Sequence, residues 1–128
     1  MPAQLSLFPE IDEKEVRRKV ASELKLFKAI RVAVENQKEL EEQGVSCLFP
    51  SMRSKDEEVI CKLKYRQMQR ALEKSLDTLE REVIERKYLG PERVKDITVY
   101  IEMGIDKDLY YTVKKQAIFQ IATALGII

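Results

Sequence analysis

The sequence contains no histidine. That excludes Cys/His zinc sites, Cys–His and Ser–His nucleophile pairs, and imidazole acid–base chemistry. Glycine and proline number four each. That is too few for a turn-rich β protein and favours long helices. There are two cysteines, Cys47 and Cys61. They are well separated, lie in no Cys-x-x-Cys, and read as reduced structural residues. No apolar run approaches the length of a membrane span. The opening "MPAQLSLFPE" lacks the basic and apolar regions of a secretory signal, so a cytoplasmic protein is expected. A P-loop and a Gly-rich nucleotide turn are also missing, so the reading is not an enzyme, and no cofactor or metal is implied.

The chain also lacks an excess charge. Its 23 basic and 22 acidic residues leave a formal charge of +1, which argues against indiscriminate coating of nucleic acid. Residues 53 to 74 alone lean basic, with 7 cations against 4 anions. Any contact with nucleic acid must therefore come from local placement.

What is present is helical patterning, with 45% hydrophobic residues to fill a core. "LFPEIDEKEV" reads as an extended arm entering a helix at Asp12, with Glu15 three residues later as in a capping box. Val16, Val20, Leu24, Phe27, Ile30 and Val34 recur at helical steps, and Gly44 is the expected stop. Ser54 and Glu57 open a second helix with the stripe Val59, Ile60, Leu63, Met68, Leu72 and Leu76. It is expected to lie antiparallel to the first, with Lys62, Lys64, Arg66 and Arg70 on a solvated outer face. Asp77 and Glu80 open a third, ended by Gly90-Pro91. A short helix from about Asp96 to Met103 and a last helix to about Leu125 complete an all-α reading. Residues 1–76 form long helices expected to oligomerise, and residues 77–128 form a separate functional unit.

The final stretch carries the functional signal. Gly104 supplies a positive φ at little cost, Ile105 plugs the corner, and Asp106 caps the next helix. This is the grammar of a helix-turn-helix. Tyr110, Val113, Ala117 and Ile121 fall on one inward face, with Leu79, Val83 and Tyr88 opposite. The open face of the first two turns holds Asp108, Tyr111, Thr112 and Lys115, with Lys107 at its edge. Lys114 lies near the core edge, where its stem can snorkel. The candidate DNA-contacting set is thus Lys107, Asp108, Tyr111, Thr112, Lys114 and Lys115. Residues at the start of such a helix reach base edges in the major groove, with Asp108 suited only to a cytosine amine. The same pattern also serves αα-hairpins that never meet DNA, and the residues alone leave that alternative open.

The block "LEREVIERKYLGPERVKDITVYIEMGIDKDLYYTVKKQAIFQIATALGI" resembles the ArpU family of phage and prophage late-gene regulators. The likeness rests on residues 82 to 89, Val99-Tyr100, Gly104-Ile105, Tyr110-Tyr111, Lys114, Ala117 and Leu125 to Ile127. "LFPEID" is similar too. The resemblance implies a helix-turn-helix like that of sigma factor region four. It also implies a transcriptional activator of packaging and lysis genes that binds a promoter and contacts RNA polymerase. Thr112 stands where Arg is expected in many relatives, which leaves the base contacts open. A homodimer is expected from the first helix and from Phe119. On the helical wheel Phe119 falls on the wet side and needs cover, from the chain's own N-terminal helices or from a second copy. Two rivals remain: a small terminase-like subunit that recognises packaging DNA, and a helical adaptor that binds a host protein without DNA.

Overall fold

A computed structural model describes residues 11–128, and the arm expected over "LFPE" lies outside them. Among the described residues the chain is all-α, with five helices: α1 Glu13–Glu42, α2 Lys55–Lys74, α3 Thr78–Tyr88, α4 Asp96–Met103 and α5 Lys107–Ala124. None of them is long and apolar enough to cross a membrane.

The starts follow the cap chemistry. The Asp12 carboxylate accepts from the backbone N–H groups of Lys14 and Glu15, and Ser54 Oγ accepts from that of Glu57. At α3 the capping box is complete. Asp77 accepts from the Glu80 N–H at 2.8 Å, and Glu80 accepts from the Asp77 N–H at 2.9 Å. Arg81 then reaches back across the junction. Its guanidinium donates to the carbonyls of Leu72, Glu73 and Leu76 at 2.9, 2.8 and 3.3 Å. The Leu72 and Glu73 carbonyls are acceptors the α2 C-terminus leaves unpaired, and Leu76 lies in the link to α3, so Arg81 ties α2 to α3 across their junction.

At 30 residues, α1 is about 45 Å long. Only its first half enters the core: Val16, Val20, Leu24 and Phe27 are buried, while Ile30 and Val34 are half-buried. The four buried residues share one core with Met68, Leu72 and Leu76, Ile84 and Leu89, and Ala117, Ile118, Ile121 and Ala122. One core therefore runs across the boundary at residue 76, with α1 lying on α5. A smaller cluster of Val83, Val99, Tyr110 and Val113 sits beneath the α4–α5 turn.

Two expectations change. The α2 stripe is not one face: Val59, Ile60 and Leu63 are exposed, whereas Met68, Leu72 and Leu76 are buried. The five-residue step from Leu63 to Met68 breaks the helical phase. The inward series is Cys61, Tyr65, Met68, Leu72 and Leu76, and Tyr65 stacks on Phe27 with centroids 5.5 Å apart. In addition, Val16 to Phe27 are buried within the chain, and Phe119 is half-buried against the same core. The first half of the α1 stripe is thus not available to a second copy, and Phe119 finds its cover at home.

Candidate nucleic-acid interface

The α4–α5 corner is built from four local devices. Gly104 adopts φ 71°, ψ 28°. The Ile105 N–H donates to the Tyr100 carbonyl at 3.2 Å, and the Gly104 N–H to that of Ile101 at 3.1 Å, which closes α4 in a Schellman-like turn. Ile105 packs into the smaller cluster. Asp106 Oδ1 then accepts from the Leu109 N–H at 2.7 Å and starts α5.

Beneath this corner lies a polar hub. Asp96, in the first turn of α4, receives the Tyr110 hydroxyl at 2.6 Å and the Lys114 ammonium at 2.9 Å, both on the same oxygen. Tyr110 and Lys114 are one helical turn apart on α5, so a single carboxylate anchors two successive turns. Lys87 of α3 stands 3.8 Å from the same oxygen and donates to the Val94 carbonyl at 2.7 Å. The Tyr88 and Tyr111 rings each lie 5.9 Å from the Lys114 nitrogen, within cation–π range. Burial alone would raise the Asp96 pKa. The hydrogen bonds from Tyr110 and Lys114 and the two ammonium charges outweigh it and hold the carboxyl below its ordinary value. Burial and then Asp96 raise the Tyr110 phenol. Tyr88 is pushed up to about 12, chiefly by burial. The Asp96 carboxyl is therefore ionised at neutral pH.

Above it, Lys107, Asp108, Tyr111 and Thr112 are all exposed on the first two turns of α5. Tyr110 is fully buried and Tyr111 is 42% exposed, so adjacent tyrosines do opposite jobs. Lys114 does not belong with the surface set. It is buried, and its ammonium is committed to Asp96 at 2.9 Å. Lys115 is exposed but meets Glu13 of α1 at 2.8 Å. The sector open at Tyr111 is covered further along, where Ile118 and Ala122 are buried in the core that α1 shares. The Tyr111 sector is thus open only over the first two turns, whereas on the Thr112 side Gln116, Gln120 and Thr123 stay exposed further along.

Three participants were not legible beforehand. Asp96 read only as the start of a helix, and Lys87 only as part of the block of residues 82 to 89. Glu13 was not connected to α5 at all. The one available signal was the four-residue spacing of Tyr110 and Lys114. Searches of known protein families, curated proteins and solved structures find no match to the chain.

Proposed function

We propose that the chain is a sequence-specific DNA-binding transcriptional regulator that inserts the first two turns of α5 into the major groove. One observation supports this most: exposed Lys107, Asp108, Tyr111 and Thr112 stand on a helix start held from below by Asp96, Tyr110 and Lys114. Readout needs side chains fixed in direction, because a bidentate or methyl contact tolerates little misplacement. In this reading Lys107 and Tyr111 hold phosphates or base edges. Thr112 meets a base or a thymine methyl, and Asp108 accepts from cytosine. Lys115 contributes once it leaves Glu13, a surface pair of little energetic weight. The finer role is activation of phage or prophage late packaging and lysis genes, with RNA polymerase as a partner. It rests on the resemblance of residues 79 to 127 to ArpU regulators. The protein acts as a homodimer, since one short helix with a near-neutral surface gains affinity from two linked half-sites.

The helical-adaptor reading has its own support in the exposed Val32, Leu48, Phe49, Met52, Val59 and Ile60 of the α1–α2 end. Selection from a random duplex pool separates the two. The proposed regulator enriches a defined motif and binds it with an affinity that falls as salt rises. An unenriched pool and no retained duplex at low salt would refute the DNA reading.

A further inference from the structure

The outer face of α2 has an order that the fold does not use. Asp56, Val59, Ile60, Leu63, Arg66 and Arg70 are all exposed. At about 100° per residue they cluster on the side of α2 turned away from Tyr65, Met68 and Leu72, which face the core. Along the helix axis the face reads acid, then apolar, then base. None of the eight ion pairs among the described residues involves Asp56, Arg66 or Arg70.

The spacing is symmetrical. Asp56 and Arg70 each stand seven residues, about two turns, from Leu63. A second α2 laid antiparallel, with a two-fold axis passing beside Leu63, sets Asp56 of each copy against Arg70 of the other. The same operation lays Val59 and Ile60 of each copy over Gln67 and Arg66 of the other, where the Arg66 stem can cover them. A parallel alignment instead puts Arg70 on Arg70 and Asp56 on Asp56. Self-complementarity about one axis is what an isologous interface demands. We infer that this face of α2 is a homodimer interface, occupied by the α2 of a second copy in antiparallel register. The inference deepens the two-copy reading above, but it does not depend on DNA binding.

Size sets the expected strength. One pair of 20-residue helices, each about 30 Å long, covers an area near the low end of stable interfaces, which bury about 1,200–2,000 Å² in total. The connecting loop enters α2 at Ser54 and brings exposed Leu48, Phe49 and Met52 to the acidic end. The dimer should therefore be reversible, with a dissociation constant in the micromolar range, about −8 kcal/mol.

The test is sedimentation velocity on the full chain, without DNA, over a concentration series. Wild type should pass from monomer to dimer. Leu63→Glu buries an unpaired charge at the axis and should weaken the dimer about tenfold or more. Leu63 is exposed in the chain, so helicity and melting temperature should hold. Arg70→Asp alone and Asp56→Arg alone should each weaken self-association, because each sets like charges face to face. Mixed one to one, the two variants should recover dimers, since every facing pair is again opposite. A chain that stays monomeric through the series overturns the interface. So does a dimer unmoved by Leu63→Glu, or a mixture of the charge variants no tighter than either alone. None of these results bears on whether a monomer binds DNA, so the two readings fail separately.

Discussion

The connections at the two ends of the molecule differ in almost every physical respect. Between α4 and α5 the turn spans Gly104 to Asp106 and rests on Val99, Tyr110 and Val113. Two Schellman-like bonds and the Asp96 hub hold it. Between α1 and α2 the chain runs from Gln43 to Ser54 with every residue exposed, and Phe49 and Met52 project almost entirely into solvent. A corner fixed from beneath can present side chains in set directions to a rigid partner such as a DNA groove. A tip with apolar side chains and no floor presents adhesive surface, which suits a contact between protein copies. The difference lies in what is buried under each turn, since both regions carry exposed polar and charged residues.

The contrast can be broken most forcefully at Tyr110. Its ring is fully buried and its hydroxyl is bonded to a carboxylate. Tyr110→Ala should therefore cost about 3–5 kcal/mol, read by denaturant unfolding. Phe49→Ala, at a residue 88% exposed, should stay within about 0.5 kcal/mol. Comparable losses at the two sites would erase the distinction. Next comes Lys114→Ala. Asp96 keeps Tyr110 and Lys87, so the loss should be about 2–3 kcal/mol, short of that for a wholly orphaned charge. A change under 0.5 kcal/mol would mean that Lys114 lies at the surface after all.

The hub also sets an acid limit. The folded Asp96 pKa lies below its ordinary 3.8. Its contribution to stability is then fully present above the unfolded value and is lost as pH falls through the folded one. Stability should drop between about pH 5 and the folded pKa, and Asp96→Asn should flatten that part of the profile. An unchanged slope in the Asn variant would remove the hub from the account. A smaller effect is expected at the turn. Adding a Cβ at Gly104 meets no atom within 4 Å, so Gly104→Ala should cost only the left-handed backbone term, about 1–2 kcal/mol. The smallest effect on stability belongs to Glu13→Gln. It frees the exposed Lys115 and removes an anion beside the proposed DNA face, so folding should change by under about 0.5 kcal/mol. Duplex affinity at low salt should rise.

Much of the fold could be read in the sequence because its signals are local. Caps at Asp12, Ser54, Asp77 and Asp106 and the left-handed Gly104 are short-range chemistry, and each appears in the structure. The inward placement of Tyr110, Val113, Ala117 and Ile121 follows from helical period alone. What could not be read depends on other helices. Ile118 and Ala122 are buried because α1 shares their core, and Lys114 leaves the surface because Asp96 waits beneath it. Neither partner is near in sequence. The five-residue step from Leu63 to Met68 is a local signal too, and it puts Val59, Ile60 and Leu63 on a different face of α2 from Met68 and Leu72.

The central proposal is that readout belongs to the first two turns of α5, although the Thr112 side stays exposed further along the helix. The direct measurement compares two variants on a duplex enriched by selection. One carries Tyr111→Ala and Thr112→Ala, and the other Gln120→Ala and Thr123→Ala, all at exposed positions of the same helix. The account predicts that the first loses about 1–3 kcal/mol or more of specific binding while its melting temperature holds, and that the second binds like wild type. Equal affinities for the two variants, or a larger loss from the second, would contradict it.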